Sequence, residues 1–470
     1  MSKRRGVFVV RGKMKLSKFA TAVSLGSLTA VAALVAGSAP AHADGAAPGG
    51  GSFPGSFLVP GTDTSFKIGG YVKGDLVYDT GPRITPIANG FDPTLFPLDS
   101  FGKGGPAAAH SVHGATQLTA DESRFNIETR TPTGYGEFKT FLEGDFRDPN
   151  GLTHSSTFMT ETNSSGFRIR YAYGTLGPWL VGQYNSLFRD AKSEAEELDI
   201  YGDLVAGPSR VPQFRYTYDA GDGFLIAGAI ENPQTQFVDG EAAKATAQTT
   251  YGNATGEKLP DFTGAVIYNA PWGHASLRGV IRDLYDHNIA PSTLGTGVTG
   301  STTEPGAVSA STVGWGLGVS GDYRTWGKDD LEFQANGGVG VGRYLNNNST
   351  PVLDVVIDSD EGANAPFEAI SAWEVYLSYQ HWWTNTLRST AAGSFERASY
   401  GGDFHELSES AQLKTLDSLN SRIWMTHVNL IWSPIPQVDT GIEFMAGNRK
   451  LVSGQNGEAE RVQFSTKFKF

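Results

Sequence analysis

The chain has 470 residues with 59 glycines, 23 prolines, 9 tryptophans, 17 tyrosines, 27 phenylalanines and no cysteine. The missing cysteine excludes a disulfide scaffold, a thiolate metal site and a cysteine nucleophile, and glycine at one residue in eight among so many aromatics disfavours a helix-rich enzyme. The formal charge is −12, but residues 1–43 hold seven basic residues and no acid, so the remainder carries 30 basic against 49 acidic residues, near −19. That balance excludes nucleic acid as a partner, which needs a basic footprint.

The amino terminus reads as a cleaved signal peptide, residues 1–43. A basic segment precedes the apolar stretch Phe19–Ala36, and Ala41-His42-Ala43 forms a small-x-small cleavage site before Asp44. Met14 is an alternative start. Residues 44–64 are expected to be a flexible Gly/Pro-rich arm. Beyond them no run approaches the roughly 20 apolar residues of a membrane helix.

From Ser65 onward the pattern alternates with period two, the signature of a strand. Phe66, Ile68, Val72, Leu76 and Tyr78 share one face; Lys67, Lys73, Asp75 and Asp79 share the other. Phe125 and Ile127 alternate with Arg124, Asn126, Glu128 and Arg130, and after the Thr131–Gly134 turn Phe138 and Leu142 oppose Glu137, Lys139, Glu143 and Asp145. Phe167, Ile169, Tyr171 and Tyr173 alternate with Arg168 and Arg170, and residues 179–188 return after Gly177-Pro178. Further hairpins are predicted at 210–219/222–231 around Ala220-Gly221, then 260–269/273–283, 310–324/328–343, 366–382/385–400 and 419–433/436–447, with a last strand over 458–470.

Sixteen strands result, with tight turns after even-numbered strands and long polar segments after odd-numbered ones. That layout predicts an all-β fold: a transmembrane 16-stranded antiparallel β-barrel, residues 65–470, with short periplasmic turns and long extracellular loops. Strands span lipid only when the sheet closes, because every backbone polar group must be satisfied within the protein. Tyr78, Trp179, Trp272, Trp326, Trp382, Trp383, Trp432 and Phe470 lie at strand ends, where interfacial aromatic girdles belong. A soluble sandwich or propeller is the competing fold, but charges of both signs recur along the polar faces and no blade repeat appears.

Several runs resemble the DcaP-like porin family. They are Ser52-Phe53-Pro54-Gly55-Ser56-Phe57 through Gly69-Gly70-Tyr71-Val72-Lys73, then Glu122-Ser123-Arg124-Phe125, Leu142-Glu143-Gly144-Asp145-Phe146, Arg168-Ile169-Arg170-Tyr171-Ala172-Tyr173, Gly182–Phe188 and Arg210–Tyr216. The match covers about 52–220 and thins afterwards. Tyr184 stands where the family often has tryptophan, and the N-terminal coiled-coil segment of some members is missing. The resemblance implies a homotrimeric channel of the Gram-negative outer membrane, passing small anionic solutes such as dicarboxylates and aromatic acids.

Channel selectivity rests on charged rings and pore radius. The loop near 189–209 is the expected inward constriction, with Asp190, Glu194, Glu196, Glu197, Asp199 and Asp203. Arg124, Arg130, Lys139, Arg168, Arg170, Arg215, Arg278, Arg282 and Arg388 are assigned to the polar, pore-lining face, so an acidic loop would oppose a basic wall and create a transverse field. Arginine suits carboxylate solutes because its guanidinium stays charged and binds them bidentately. The plainer alternative is that these arginines pair with Glu128, Glu137, Glu143 and Asp145 on neighbouring strands. Weak anion selectivity is expected, since acids on outer loops are screened beyond roughly 8 Å.

No catalytic set, cofactor or metal is expected: the mature histidines His110, His113, His154, His274, His287, His381, His405 and His427 are scattered, and only His110 and His113 are spaced to share an ion. A non-conducting adhesin barrel is the alternative function. The expected partners are outer-membrane lipid and lipopolysaccharide, small anionic solutes, two further copies of the chain, and the barrel assembly machinery through the strand ending at Phe470.

Overall fold

The computed structural model describes residues 50–82, 84, 90–93, 96, 113–147, 166–202, 204, 210–239, 250–253, 256–289, 308–345, 353–357, 367–401, 419–452 and 454–470. The signal segment 1–43, arm residues 44–49, Asp203, His110, His154 and His405 lie outside these, as do the side chains of His113 and His287.

The period-two segments form one closed antiparallel barrel of sixteen strands. In chain order they are β1 (Ser65–Pro82), β2 (His113–Thr119 continued by Arg124–Thr133), β3 (Gly136–Asp145), β4 (Arg168–Leu176), β5 (Trp179–Asn185), β6 (Arg210–Gly221), β7 (Phe224–Glu231) and β8 (Asp261–Ala270). β9 (Gly273–Ile289), β10 (Val308–Arg324), β11 (Asp330–Val339), β12 (Ser371–Trp382), β13 (Leu387–Ser399), β14 (Asn420–Ile435), β15 (Val438–Leu451) and β16 (Asn456–Lys469) complete it. Both pieces of β2 pair with β1, and the barrel closes where β1 pairs with β16 from Tyr71↔Lys469 to Asp79↔Arg461. No described helix is long and apolar enough to cross a membrane.

The two faces of the wall invert the usual arrangement. On β1, Ile68 is 56% exposed and Val72 and Leu76 are also exposed, whereas Lys73, Asp75 and Asp79 are buried, Asp75 to 2%. On β12, Trp373, Val375 and Leu377 face out while Glu374, Tyr376 and Ser378 face in. An apolar outside around a charged inside is stable only when hydrocarbon replaces water around the barrel.

The turn between β6 and β7 lies two residues later than the Ala220-Gly221 expectation. Its central residues are Asp222 and Gly223, with φ of 50° and 86°; a two-residue hairpin of the favoured primed type requires positive φ at both.

Three other differences bear on the lumen. β5 ends at Asn185 instead of 188, releasing the chain to turn inward. The predicted 366–382 strand breaks at Ile370, and Phe367–Ala369 leaves the barrel for a four-stranded sheet with Val355–Ile357, Gln236–Asp239 and Thr250–Asn253, built from segments read as loops. On β4 the register with β3 slips between Glu143↔Tyr171 and Gly144↔Ile169, leaving Arg170 as a bulge residue. A bulge inserts one residue and reverses the alternation beyond it. Tyr171 and Tyr173, expected on the apolar face with Phe167 and Ile169, therefore face inward with the arginines.

Residues 50–64 are not featureless. Gly50 bridges Phe57, and Phe57 and Leu58 pair with Phe66 and Ser65. This hairpin covers the edge of β1 just past the point where Gly70 and Phe470 exchange backbone hydrogen bonds, so the seam leaves no open edge there.

Candidate pore constriction

The segment after β5 folds into the lumen because polar groups on the opposite wall receive it. A single 3-10 turn, Ala191–Ser193, starts at Asp190, whose carboxylate accepts from the Lys192 amide at 3.2 Å. Asp190 also accepts from His274 Nε2 on β9 at 2.8 Å and from Ser320 on β10 at 2.5 Å. The Ala195 amide donates to the Tyr376 hydroxyl at 2.7 Å, and Glu196 takes both arms of Arg388 at 2.5 Å. Glu443 on β15 accepts the Leu198 and Asp199 amides at 2.8 and 3.1 Å, while the Leu198 carbonyl accepts from Lys73 at 2.6 Å and Gln463 at 3.0 Å. These anchors come from β1 and from β9 to β16, so the loop lies along that side and leaves the wall of β2 to β6 facing it.

The loop acids mostly serve as anchors. Besides Asp190 and Glu196, Glu194 pairs bidentately with Arg189 at 2.6 Å, and Asp199 accepts from the amides of Phe91, Tyr201 and Gly202 at 3.0, 3.0 and 3.2 Å. A carboxylate in so confined a space needs compensation, because a buried ion without a partner costs several kcal/mol in lost hydration. Burial pushes the Asp190 carboxyl up, but hydrogen bonds from His274 and Ser320 and the charges of His274 and Arg278 outweigh it, holding Asp190 well below the usual carboxylate range. Asp199 goes the other way: burial raises it, with Glu122 and Glu443 adding to the rise. Glu197 and Asp199 remain against the open space; Asp190, Glu194 and Glu196 do not form the expected acidic face opposite the arginines.

Between loop and wall lies a cavity of about 180 Å³. Lys73, Arg124, Arg147, Arg168, Arg170, Arg189, Arg210 and Lys467 line it against only Glu122, Glu197 and Asp199, so its rim is predominantly cationic. Arg124, Arg168 and Arg170, expected at the pore, are thus brought together here. Their cross-strand acids lie behind them: Arg168 holds Asp145 at 2.9 and 2.7 Å, Arg170 holds Glu143 at 3.2 Å and Asp145 at 2.9 Å, and Arg124 approaches Glu143 at 3.3 Å. Asp145 is fully buried beneath the two guanidiniums. Arg210 has no carboxylate within ion-pair distance among the described residues and stacks on Tyr171 at 5.4 Å.

The other expected residues are placed elsewhere. Arg130 and Lys139 lie toward the short-turn rim, paired with Glu128, and Arg130 also covers Phe53 of the N-terminal hairpin. Arg215 bonds Gln213 and the Asn185 carbonyl and stacks on Tyr184. Arg278 is buried, donating to the Phe188 carbonyl and Asn336. Arg282 is 2% exposed, held by Asp261, Asp354 and the carbonyls of Gly340 and Gln234. Arg388 fastens the loop. These three work inside the protein instead of lining open space.

Inward of the bulge, Phe141, Tyr171, Tyr173 and Tyr184 form an aromatic cluster with ring centroids 4.7 to 6.2 Å apart along its closest contacts. Reading by strict alternation missed the two bulge-displaced tyrosines, and it missed Arg147, Arg189 and Arg210 because they sit at strand ends. Ser193, His274 and Asp322 stand in line like a nucleophile, base and orienting acid. Ser193 is wholly buried and His274 Nε2 is taken by Asp190, so no substrate can reach the hydroxyl. No group of three or more metal-holding side chains occurs among the described residues.

A profile of the Porin subfamily matches residues 54–445. Porin Omp2a of Brucella ovis is 28% identical over 241 residues, covering 50% of this chain and 59% of that protein. Porin Omp2b of Brucella abortus is 28% identical over 244 residues, covering 50% and 55%. The chain therefore spans little more than half the length of these curated relatives. Among solved structures, the outer membrane channel DcaP of Acinetobacter baumannii shares the fold with a TM-score of 0.65 at 22% identity, covering 88% of this chain and 99% of that one. With a match running from the N-terminal hairpin into β15, over a sixteen-stranded barrel with a loop folded inside it, the chain belongs to the Porin subfamily.

Proposed function

We propose that the protein is a diffusion channel of the Gram-negative outer membrane that favours small hydrophilic anions, carboxylates in particular. The observation that carries this reading is the cationic rim of the constriction, where Arg124, Arg168, Arg170, Arg210, Lys73 and Lys467 surround the open space against only Glu122, Glu197 and Asp199, and the acids paired with Arg168 and Arg170 lie behind them. Net charge near −19 does not oppose it, because charges farther than roughly 8 Å are screened at physiological salt. Arginine forks match carboxylate geometry, and a water-filled cavity lets solutes leave again.

The remaining features fit the same setting. The outward apolar band would face lipid and lipopolysaccharide, and three copies would associate side by side through that band, as the family resemblance implies. The exposed rings of Phe468 and Phe470 on the last strand support recognition by the barrel assembly machinery. Residues 1–43 would direct export and be removed.

Planar-bilayer recording tests the function. Discrete conductance steps with a reversal potential on the anion side in a salt gradient, and blocking by dicarboxylates, are expected. Steps with clear cation preference would reject the anion assignment, and absence of steps would favour a non-conducting surface barrel.

A further inference from the structure

His274 stands on β9 between two carboxylates from different parts of the chain. Its Nδ1 bonds Asp322 of the neighbouring strand β10, and its Nε2 bonds Asp190, the first residue of the inward loop's helical turn, at 2.8 Å. The ring is 3% exposed, and the Ser193 hydroxyl lies 3.3 Å from the same Nε2. Neutral imidazole carries one N–H and one lone pair, whereas an ionised carboxylate can only accept. Both contacts are attractive together only when the ring carries two protons. We propose that the His274 imidazolium is the positioning residue for the constriction: its second proton lets the ring hold both carboxylates, fastening the head of the loop to the barrel wall, and losing that proton loosens this end of the loop. The inference rests on the channel reading above.

The neighbours define what else responds to pH here. Arg278, farther along β9, attracts Asp190, while Glu332 on β11 is the register partner of Asp322, a second titratable carboxyl there, and accepts from Ser378 at 2.6 Å. Lys192 of the loop is drawn off to Asn269 at 3.1 Å and gives His274 no competing cation. When the ring is neutral, one carboxylate faces a lone pair, and two like charges remain with one shared donor between them. Ser320 still holds the Asp190 carboxylate and Gln334 on β11 donates to the Asp190 and Ser193 carbonyls at 3.1 Å each, so the head is loosened and not set free. The middle of the loop hangs on Glu443, beside His427 at 3.3 Å, which makes that histidine the control.

The test is single-channel recording of the full-length protein in planar bilayers as the pH is raised stepwise from 7, since histidine is the side chain whose charge changes nearest neutral pH. Open-channel current noise should rise severalfold as the pH is raised. His274→Asn, which carries no titratable ring, should be noisy at every pH. Asp190→Asn should remove the pH response while staying quiet, since an amide can donate to a lone pair as well as accept from N–H. His427→Asn should keep the response. Flat noise in the unaltered protein, or a response that survives in Asp190→Asn, would overturn the proposal; an absence of conductance steps would overturn the channel reading instead. Should His274→Asn fail to assemble, the unaltered protein and Asp190→Asn still decide.

Discussion

Arg168 and Arg170 grip the same carboxylate. Two residues apart on β4 they share the inward face, and they reach the same Asp145 oxygen at 2.7 and 2.9 Å. Either arginine alone still compensates Asp145. Arg168→Gln is therefore expected to assemble normally, as judged by heat-modifiable migration in gels. Removing one charge at about 4 Å from a passing anion costs about 1 kcal/mol in water-like dielectric. The anion-to-cation permeability ratio should fall severalfold, read from reversal potentials. An unchanged ratio would take Arg168 out of the ion path.

Losing both arginines is a different experiment. Asp145 would then be buried with only the Arg147 amide at 3.3 Å and neither of its counter-charges, which costs about 3–5 kcal/mol. Arg168→Ala/Arg170→Ala should lower the yield of folded barrel, and adding Asp145→Asn should restore it. Comparing detergent-extracted folded fractions of the double and triple variants checks this; equal yields would show that Asp145 does not need the pair.

The Glu196–Arg388 pair fastens the middle of the inward loop to β13, with both nitrogens engaged and Arg388 nearly buried. Glu196→Gln removes a charge-assisted double contact of the kind that contributes about 1.5–3 kcal/mol. A looser loop should give larger and more variable single-channel conductance, with the barrel's thermal stability little changed. A conductance histogram as narrow as the unaltered protein's would show that the other anchors suffice.

Arg282 has a purely structural expectation. It is wholly engaged with Asp261, Asp354 and two carbonyls, and Tyr344 shares the Asp261 carboxylate at 2.8 Å. Arg282→Ala should destabilise by about 3–5 kcal/mol, since it leaves the buried Asp354 with backbone donors alone and Asp261 with only the longer ion pair, to Arg343 at 3.5 Å. Urea unfolding in micelles measures the loss. Ion selectivity of whatever channel remains should not move, and a shift in reversal potential would place Arg282 at the open lumen after all.

Acid should leave the Asp190 fastening intact until low pH. Its carboxyl is held below the usual range, so its contribution is fully present above the ordinary value near 3.9 and is lost only as pH falls through the lower folded value. Current noise is thus expected to stay flat from pH 7 to about pH 4. A rise in noise near pH 5, absent in Asp190→Asn, would contradict this.

Much of the barrel is legible because its two environments are extreme. Val72 and Leu76 against Lys73 and Asp75 can alternate only in a strand with different media on its faces, and the turn residues punctuate each pair. Legibility failed where one residue changes the parity, as at Arg170, and where a segment's partners are distant in sequence. Nothing local marks Phe367–Ala369 as leaving the barrel to pair with Val355–Ile357. The site was legible in part for the same reason: Arg124, Arg168 and Arg170 follow from alternation, while Arg189 and Arg210 sit where alternation ends.

The sequence by itself determined strand number, turn rhythm, the inward and outward sets of the unbulged strands and the membership of the fold class, because each depends on residues within about ten positions of one another. Tertiary structure decided which charges meet. Lys73 and Lys467 become register partners only when the first strand closes on the last. Glu196 finds Arg388 across 192 positions. Whether an acid faces the pore or anchors a loop depends on which counter-charge closure brings within a few ångströms, since Coulomb and desolvation energies are set by distance in space and not along the chain.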